Sequence, residues 1–152
     1  MRRLILAGLL ALAGCDAGKT GFRDTRAEMT SLVAFDPARF AGAWIEVAAI
    51  GRPAGTRWQV DPGGDGTLAV TTSRDGAGQG RVVGPGRLAL SQFDAPLWVL
   101  WADAGMRTVV IGTPDGRFAM VLDRAAASAT DRLRAAREVL AWNGYDLAVL
   151  NR

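Results

Sequence analysis

The chain has 152 residues, with 18 lysines and arginines, 15 aspartates and glutamates, one cysteine and no histidine. The lack of histidine excludes a Ser-His-Asp triad, and with a single cysteine it also excludes the usual histidine and cysteine zinc sites. The formal net charge of +3 includes Arg2 and Arg3. Without these two the charge is close to +1 and no basic cluster remains, which argues against nucleic acid as a partner. The length fits one domain.

The first fifteen residues have the pattern of an export signal. Arg2 and Arg3 precede an apolar run from Leu4 to Ala13, which is shorter than the roughly 20 residues of a membrane-spanning helix. The segment Leu12-Ala13-Gly14-Cys15 resembles the lipobox of bacterial lipoproteins. That resemblance implies a signal peptide of residues 1–14 and lipid attachment at Cys15. The alternative is an ordinary secretory signal with an incidental cysteine.

Lipid attachment would anchor the mature chain in the bacterial cell envelope, facing the periplasm. Two or more acyl chains hold a protein stably on a membrane. Asp16 directly follows the lipidated position, and in some bacteria an aspartate there favours retention at the inner membrane. Residues 15–34 are predicted as the lipidated cysteine and a polar tether, and residues 35–152 as the folded domain.

From Phe35 onward, short β-rich runs alternate with turn residues at nearly regular spacing, which predicts eight strands. The turns contain proline, which fixes φ, and glycine, which accepts positive φ. Strands in hairpin succession favour an antiparallel up-and-down β-barrel, because closure removes the exposed edges. The predicted strands are Trp44–Ile50, Thr56–Asp61, Thr67–Ser73, Gly80–Gly84, Arg87–Phe93, Leu97–Asp103, Arg107–Gly112 and Arg117–Asp123.

After the strands the apolar pattern changes to a helical period. Ser128-Ala129-Thr130-Asp131 predicts a capping box that opens a helix, and Asn143-Gly144 predicts its end. Tyr145–Leu150 is predicted to form a short last strand. The apolar face, which we expect to pack against the barrel wall, contains Leu133, Ala136 and Leu140.

Three motifs, in order along the chain, resemble those of the lipocalin family. Phe35–Val47 is similar to the lipocalin opening, a short helical turn followed by Gly-x-Trp at the start of the first strand. Trp98–Asp103 resembles the middle motif, in which an aspartate ends the sixth strand, although the aromatic residue that often follows is missing. Arg124, after the eighth strand, matches the arginine that packs over the tryptophan ring in the family.

The order of the predicted elements most closely resembles that of bacterial lipocalins and the apolipoprotein D group. The resemblance implies an eight-stranded barrel with one C-terminal helix and a short last strand. It also implies a barrel base formed by Gly42, Trp44 and Arg124. The expected function is to bind, store or shuttle a small hydrophobic ligand such as a fatty acid or lysophospholipid, without a metal or cofactor. The chain is shorter than a usual lipocalin between the second and sixth strands, so the interior is either an open cup or filled by side chains.

Side chains alternate between the two faces of a strand, so placing Trp44 and Arg124 inside the barrel predicts which neighbours on the first and eighth strands also face inward. For the sixth and seventh strands, the resemblance to lipocalins implies which residues face inward. The predicted wall is mostly apolar, which suits an acyl ligand, and the alternative is an ordinary packed core. The predicted cavity residues are Glu46, Ala48, Ile50, Leu97, Val99, Trp101, Val109, Ile111, Phe118, Met120 and Leu122.

Glu46 is the one carboxylate on this predicted wall. A buried carboxylate without a partner is costly, so we expect it to pair with an inward arginine such as Arg107. The alternative is contact with a cationic or hydroxylated headgroup of a ligand.

Three functions are compatible with the sequence, and a binding protein is favoured over an enzyme such as a lipocalin-fold isomerase. Enzymatic chemistry would depend on Glu46, Asp103 or Tyr145, but no spacing identifies an acid–base pair. The third possibility is an envelope assembly or interaction lipoprotein with a filled barrel. Exposure of Trp58 or Trp98 would support that third function.

Overall fold

The computed structural model describes residues 21–152, so the predicted signal peptide and Cys15 lie outside the described residues. Each of eight strands pairs antiparallel with the next, and the last pairs with the first, which closes the barrel. The predicted up-and-down β-barrel with one C-terminal helix is therefore confirmed. The elements are α1 Pro37–Phe40, β1 Gly42–Ile50, β2 Arg57–Pro62, β3 Thr67–Thr72, β4 Gly76–Gly84, β5 Arg87–Leu90, β6 Leu97–Ala102, β7 Thr108–Gly112, β8 Ala119–Asp123 and α2 Thr130–Trp142, with 3₁₀ turns at Gly64–Gly66 and Leu147–Val149.

The up-and-down order gives the barrel two distinct ends. The β1–β2, β3–β4, β5–β6 and β7–β8 loops lie at one end, which we call the mouth. The other three loops and α1 lie at the opposite end, which we call the base. Between the ends, a single apolar cluster fills the interior. Its fully buried large side chains are Phe40, Trp44, Leu68, Leu88, Leu97, Ile111, Met120 and Leu122.

The base is closed by the residues that the sequence indicated. The Arg124 guanidinium lies 3.5 Å from the centre of the Trp44 ring, a cation–π contact. The same guanidinium donates to the carbonyls of Ala43 and Arg39, each at 2.9 Å. Gly42 has a φ of +93°, and a Cβ there would lie 3.4 Å from Arg124 Nη1. The positive φ is the feature that favours glycine at this position, because the added Cβ would be in ordinary contact with the arginine.

Two strands begin earlier than predicted, β1 at Gly42 instead of Trp44 and β4 at Gly76 instead of Gly80, whereas β5 ends at Leu90 instead of Phe93. In β4, Gly76 pairs with Thr72, whereas the predicted strand begins only at Gly80. The turn is tight because Thr72 Oγ1 accepts from the Asp75 amide at 2.7 Å. The turn therefore ends before Gly76, and both Gly76 and Gly78 are part of β4.

Two β-bulges break the predicted alternation of side chains. In the pairing of β1 with β8 the register shifts between Glu46 and Ala48, and in the pairing of β6 with β7 it shifts between Val99 and Trp101. Each extra residue turns the following side chains to the opposite face. The inward orientation predicted for Ala48, Ile50 and Trp101 is therefore wrong, because these residues pack outside the barrel in the cluster beneath α2.

Helix α2 covers the outside of the barrel as predicted, with Ala136 and Leu140 fully buried and Leu133 packed beside them. The predicted capping box is absent: the N-cap is Ala129, which makes no side-chain cap hydrogen bond. The helix is held instead by Arg132, whose Nε donates to Thr108 Oγ1 at 2.7 Å and whose Nη2 lies 3.3 Å from the buried carboxylate of Asp123.

The segment after α2 forms no strand. Asp146 accepts a hydrogen bond from the Ala148 amide and starts the 3₁₀ turn, which prevents extended pairing. Among residues 21–152, the segment takes part in two isolated bridges, Arg23 with Tyr145 and Ala49 with Asn151. The short last strand predicted over Tyr145–Leu150 is therefore wrong.

Residues 21–34 pack on the barrel although their composition predicts a tether. Arg23 is 5% exposed and donates to the carbonyls of Asn143 at 2.6 Å, Pro114 at 3.1 Å and Ala27. Farther along, the Leu32 amide donates to the Val99 carbonyl at 2.7 Å. This segment thus runs along the barrel from the mouth toward the base.

Candidate functional site at the barrel mouth

The mouth is closed by side chains from its loops. Arg52, in the β1–β2 loop, lies with its guanidinium carbon 5.6 Å from the ring centres of both Phe93 and Phe118. Phe93 stacks on Trp58, with ring centres 5.8 Å apart and an interplanar angle of 9°. The β5–β6 and β7–β8 loops thus each supply a ring to a closure around one arginine, and we call Arg52, Phe93 and Phe118 the mouth plug.

Below the plug lies the fully buried carboxylate of Glu46. Its Oε1 is 3.3 Å from Arg52 Nε, but neither atom has a hydrogen-bond partner within the described part of the chain. The other oxygen accepts a long hydrogen bond of 3.5 Å from Trp58 Nε1. The contact is therefore an ion pair that leaves hydrogen-bonding capacity of the carboxylate unused.

A second carboxylate holds Arg52 from the solvent side. Arg52 Nη2 donates to Asp75 Oδ2 at 2.8 Å. The same oxygen accepts from Thr72 Oγ1 at 3.1 Å. Asp75 belongs to the β3–β4 loop, so all four mouth loops take part in the closure.

Burial raises the pKa of Glu46 above its usual value, and the nearby Arg52 guanidinium and the Trp58 hydrogen bond oppose that rise only in part. Removing a carboxylate from water penalises the charged form. The site therefore holds a carboxylate that an additional hydrogen-bond donor would stabilise.

The predicted pairing of Glu46 with Arg107 is wrong. Arg107 lies in the turn between β6 and β7, at the base, where its Nε donates to Asp103 Oδ2 at 3.0 Å. Asp103 also accepts from the backbone amides of Arg107 and Thr108, and these hydrogen bonds help to lower its pKa against the opposing effect of burial. Asp103 therefore orders a turn far from the mouth.

The remaining predicted cavity residues lie in or against the interior cluster. They are Leu97, Val99, Val109, Ile111, Met120 and Leu122, with Phe118 packed against them at the mouth. Together with residues from β2 to β5 they fill the barrel. A pocket on the β4–β5 side of the barrel is lined by the outward-facing Gln79, Arg81, Ala89 and Ser91 and extends to Phe93 and the β5–β6 loop.

Sequence reasoning missed Arg52, Asp75 and Phe93 as parts of this site. Arg52 and Asp75 lie in loops, where no periodicity indicates orientation. Trp58 is buried rather than exposed, and alternation along β2 with Val60 could have placed it inside. Trp98 is half-buried, and the Arg87 guanidinium carbon lies 4.1 Å from the centre of the Trp98 ring.

Tyr145, a candidate catalytic residue in the sequence, holds the backbone of the β7–β8 loop. Its hydroxyl donates to the Thr113 carbonyl at 2.8 Å and accepts from the Thr113 amide at 2.8 Å, and burial raises its pKa to about 12. Within residues 21–152 no group of acidic or cysteine side chains could hold a metal ion. No helix in that range is long and apolar enough to cross a membrane.

Comparison with solved structures identifies the architecture. Insecticyanin from the tobacco hornworm Manduca sexta is similar over 86% of this chain and 85% of its own, with a TM-score of 0.59 and 17% identity. Lobster apocrustacyanin A1 matches over 75% of this chain and 76% of its own, with a TM-score of 0.59 and 16% identity. Siderocalin Ex-FABP, described as functioning through dual ligand specificities, covers 74% of this chain and 87% of its own, with a TM-score of 0.57 and 16% identity.

A scan against protein-family models found no match, and a search of curated proteins found none at a significant level. The fold is assigned from the structural likeness, the closed eight-stranded barrel and the contact between Trp44 and Arg124 at the base. This chain has the lipocalin fold, as its motifs predicted.

Proposed function

We propose that this protein is a membrane-anchored lipocalin-like lipoprotein that binds, stores or shuttles a small hydrophobic ligand. The observation that carries the proposal is the closure of the mouth by side chains above an apolar interior. Opening requires displacement of Arg52, Phe93 and Phe118, and it leaves the strand pairing of the barrel intact. Met120, at the centre of the interior, is flexible enough to adapt to an acyl chain. A fatty acid or lysophospholipid fits this chemistry.

The test compares an inward and an outward substitution on the same strand. A fluorescent fatty acid is titrated into the chain lacking residues 1–15, then into Met120→Gln and Val121→Gln. We expect saturable binding by the parent and weaker binding by Met120→Gln. Val121 packs beneath α2, so Val121→Gln is expected to lower stability while leaving the affinity of the folded fraction nearly unchanged. No saturable binding by the folded parent would contradict the proposal.

The anchor is tested separately. Lipid attachment at Cys15 would place the protein in the cell envelope on the periplasmic side, and Asp16 favours the inner membrane. Metabolic labelling with a radioactive fatty acid is expected to label the wild type and to leave Cys15→Ala unlabelled and uncut. Equal labelling of both proteins would contradict lipid attachment at this residue.

A second function is favoured by the filled interior. If the plug does not open, the barrel is a rigid support and its outer surface would bind a protein of the envelope. Mass spectrometry of lipids extracted from the purified mature protein distinguishes the two functions. A co-purified lipid in stoichiometric amount supports ligand binding, whereas a lipid-free barrel that also fails to bind the acyl probe supports the interaction function.

A further inference from the structure

The exposed large hydrophobic side chains of the described residues form two groups at opposite ends of the barrel. Phe22, Trp142 and Val149 are 39%, 82% and 41% exposed, and we call them the mouth patch. Val33 and Val83 are 81% and 53% exposed. These two valines lie near the β4–β5 loop at the base, where Ser31 Oγ donates to the Pro85 carbonyl.

Hydrogen bonds place the mouth patch beside the mouth loops. The Phe22 amide donates to the carbonyl of Gly116 in the β7–β8 loop at 2.7 Å, and the Phe22 carbonyl accepts from the Asp146 amide at 2.9 Å. Val149 lies in the 3₁₀ turn that follows Asp146. Two residues later, the side chain of Asn151 accepts a hydrogen bond from the amide of Ala54 in the β1–β2 loop.

Trp142 completes the patch from the last turn of α2. The carbonyl of the next residue, Asn143, accepts from the Arg23 side chain, so the end of the helix lies against the segment that contains Phe22. The ring is 82% exposed, and tryptophan is a residue type that is enriched at membrane–water interfaces.

The first described residue, Gly21, also lies at this end. Six peptide units join Cys15 to Gly21, and a chain of that length spans at most about 20 Å. Gly21 packs against the backbone of Asp115 and Gly116 in the β7–β8 loop. Acyl chains on Cys15 would therefore hold the mouth, and not the base, near the bilayer.

We propose that the mouth patch contacts the lipid surface, so that the mouth of the barrel faces the bilayer. This inference rests on the anchor of the proposed function and adds an orientation to it. A groove along α2 contains Glu138 and, nearer the mouth, Arg137 and Arg152 beside the 3₁₀ turn. These arginines suit phosphate headgroups. A ligand with an acyl chain would pass between bilayer and barrel without crossing water.

The experiment measures quenching of tryptophan fluorescence by dibrominated phosphatidylcholine in vesicles that also contain phosphatidylglycerol. The mature chain from Cys15 onward is coupled through this thiol to a maleimide phospholipid, which fixes the attachment whether or not the cell lipidates the residue. Wild type is compared with Trp142→Phe and with Trp142→Phe/Val83→Trp, which moves the exposed indole to the base. Both positions are exposed, and equal melting temperatures verify that the variants are folded.

We expect strong quenching of the wild type, loss of at least half of the quenched signal in Trp142→Phe, and no recovery in the double variant. Quenching that is unchanged in Trp142→Phe, or restored by the tryptophan at position 83, would overturn the orientation. Absence of natural lipidation or of acyl-probe binding would contradict the proposed function instead, and neither result alters this measurement.

Discussion

At the scale of single residues, Glu46 lies where burial raises the pKa of its carboxyl group. The carboxylate is fully buried and its ion pair with Arg52 lacks a hydrogen bond. Desolvation therefore outweighs the attraction of the guanidinium, and the pKa is raised. The folded protein thus binds a proton at this site over a pH range in which the unfolded chain has released it.

The sign of the resulting pH dependence follows directly. The unfolded chain titrates Glu46 near the usual glutamate pKa of about 4.3, and the folded protein titrates it at higher pH. The contribution of Glu46 to the free energy of unfolding is fully present below its pKa in the unfolded chain. It is lost as the pH rises through its pKa in the folded protein. We expect the free energy of unfolding of the wild type, relative to Glu46→Gln, to fall over that interval. Urea unfolding of both proteins at pH 4, 5, 6 and 7 measures it, and a difference that grows with pH would contradict the raised pKa.

The residues of the base allow a test of packing. Trp44 is 1% exposed, and truncation of a buried aromatic side chain typically costs about 3–5 kcal/mol. We expect Trp44→Ala to lose that amount and Arg124→Ala to lose less, since a cation–π contact contributes about 0.5–2 kcal/mol. Thermal and urea unfolding provide the measurement. If both variants unfold like the wild type, the base does not depend on this contact.

At the scale of secondary structure elements, the sequence predicted the strands well because turn residues and alternating apolar residues are local signals. Side-chain orientation was predicted correctly only up to each β-bulge. The extra residues at Val47 and Leu100 reverse the alternation in β1 and β6, and no local residue preference marks those positions. Ile50 and Trp101 consequently line the surface beneath α2 instead of the interior.

The functional site was harder to predict than the fold because its residues are far apart in the sequence. Its closing residues, Arg52, Asp75 and Phe93, come from three loops that meet only in the closed barrel. The sequence identified Glu46 as a buried carboxylate but could not choose among arginines for its partner. Contacts between residues far apart in sequence are set by the tertiary structure and leave no periodic signal.

The attachment of α2 depends on a buried charge pair that can be tested. Asp123 accepts from Thr108 Oγ1 at 2.6 Å and is neutralised by Arg132, while its side chain is 1% exposed. Removing one partner of a buried pair typically costs about 3–5 kcal/mol. We expect Arg132→Gln to lower the free energy of unfolding by an amount in that range.

The matched control for this change is Arg134→Gln on the exposed face of the same helix, which we expect to leave the urea midpoint unchanged. Equal midpoints for Arg132→Gln and wild type would show that α2 is held by its apolar face alone.

At the scale of the whole molecule, the folded unit includes the segment before the barrel. The buried guanidinium of Arg23 joins the N-terminal segment, the β7–β8 loop and the end of α2 through three carbonyls. Hydrogen bonds to charged groups contribute about 1.5–3 kcal/mol each. We expect Arg23→Met to lower the free energy of unfolding by at least about 2 kcal/mol and to increase hydrogen exchange across residues 22–32.

Arg26→Met provides the comparison, because this arginine is exposed and pairs only with the nearby Asp24 among the contacts that the structure gives it. We expect its unfolding midpoint to match the wild type. A similar loss of stability in both variants would mean that removal of a positive charge, and not loss of the hydrogen bonds of the buried Arg23 guanidinium, determines the effect.

The closeness of the two ends of the described chain has a consequence for engineering. Arg23 bridges to Tyr145 and Asn151 bridges to Ala49, so both ends lie around the rim formed by the mouth loops. A short peptide linker could join them, and the chain could be reopened at the exposed β2–β3 turn around Asp65, giving a circular permutant with the same barrel. The new ends would then project from the base, where a fused reporter domain would leave the opposite rim unobstructed.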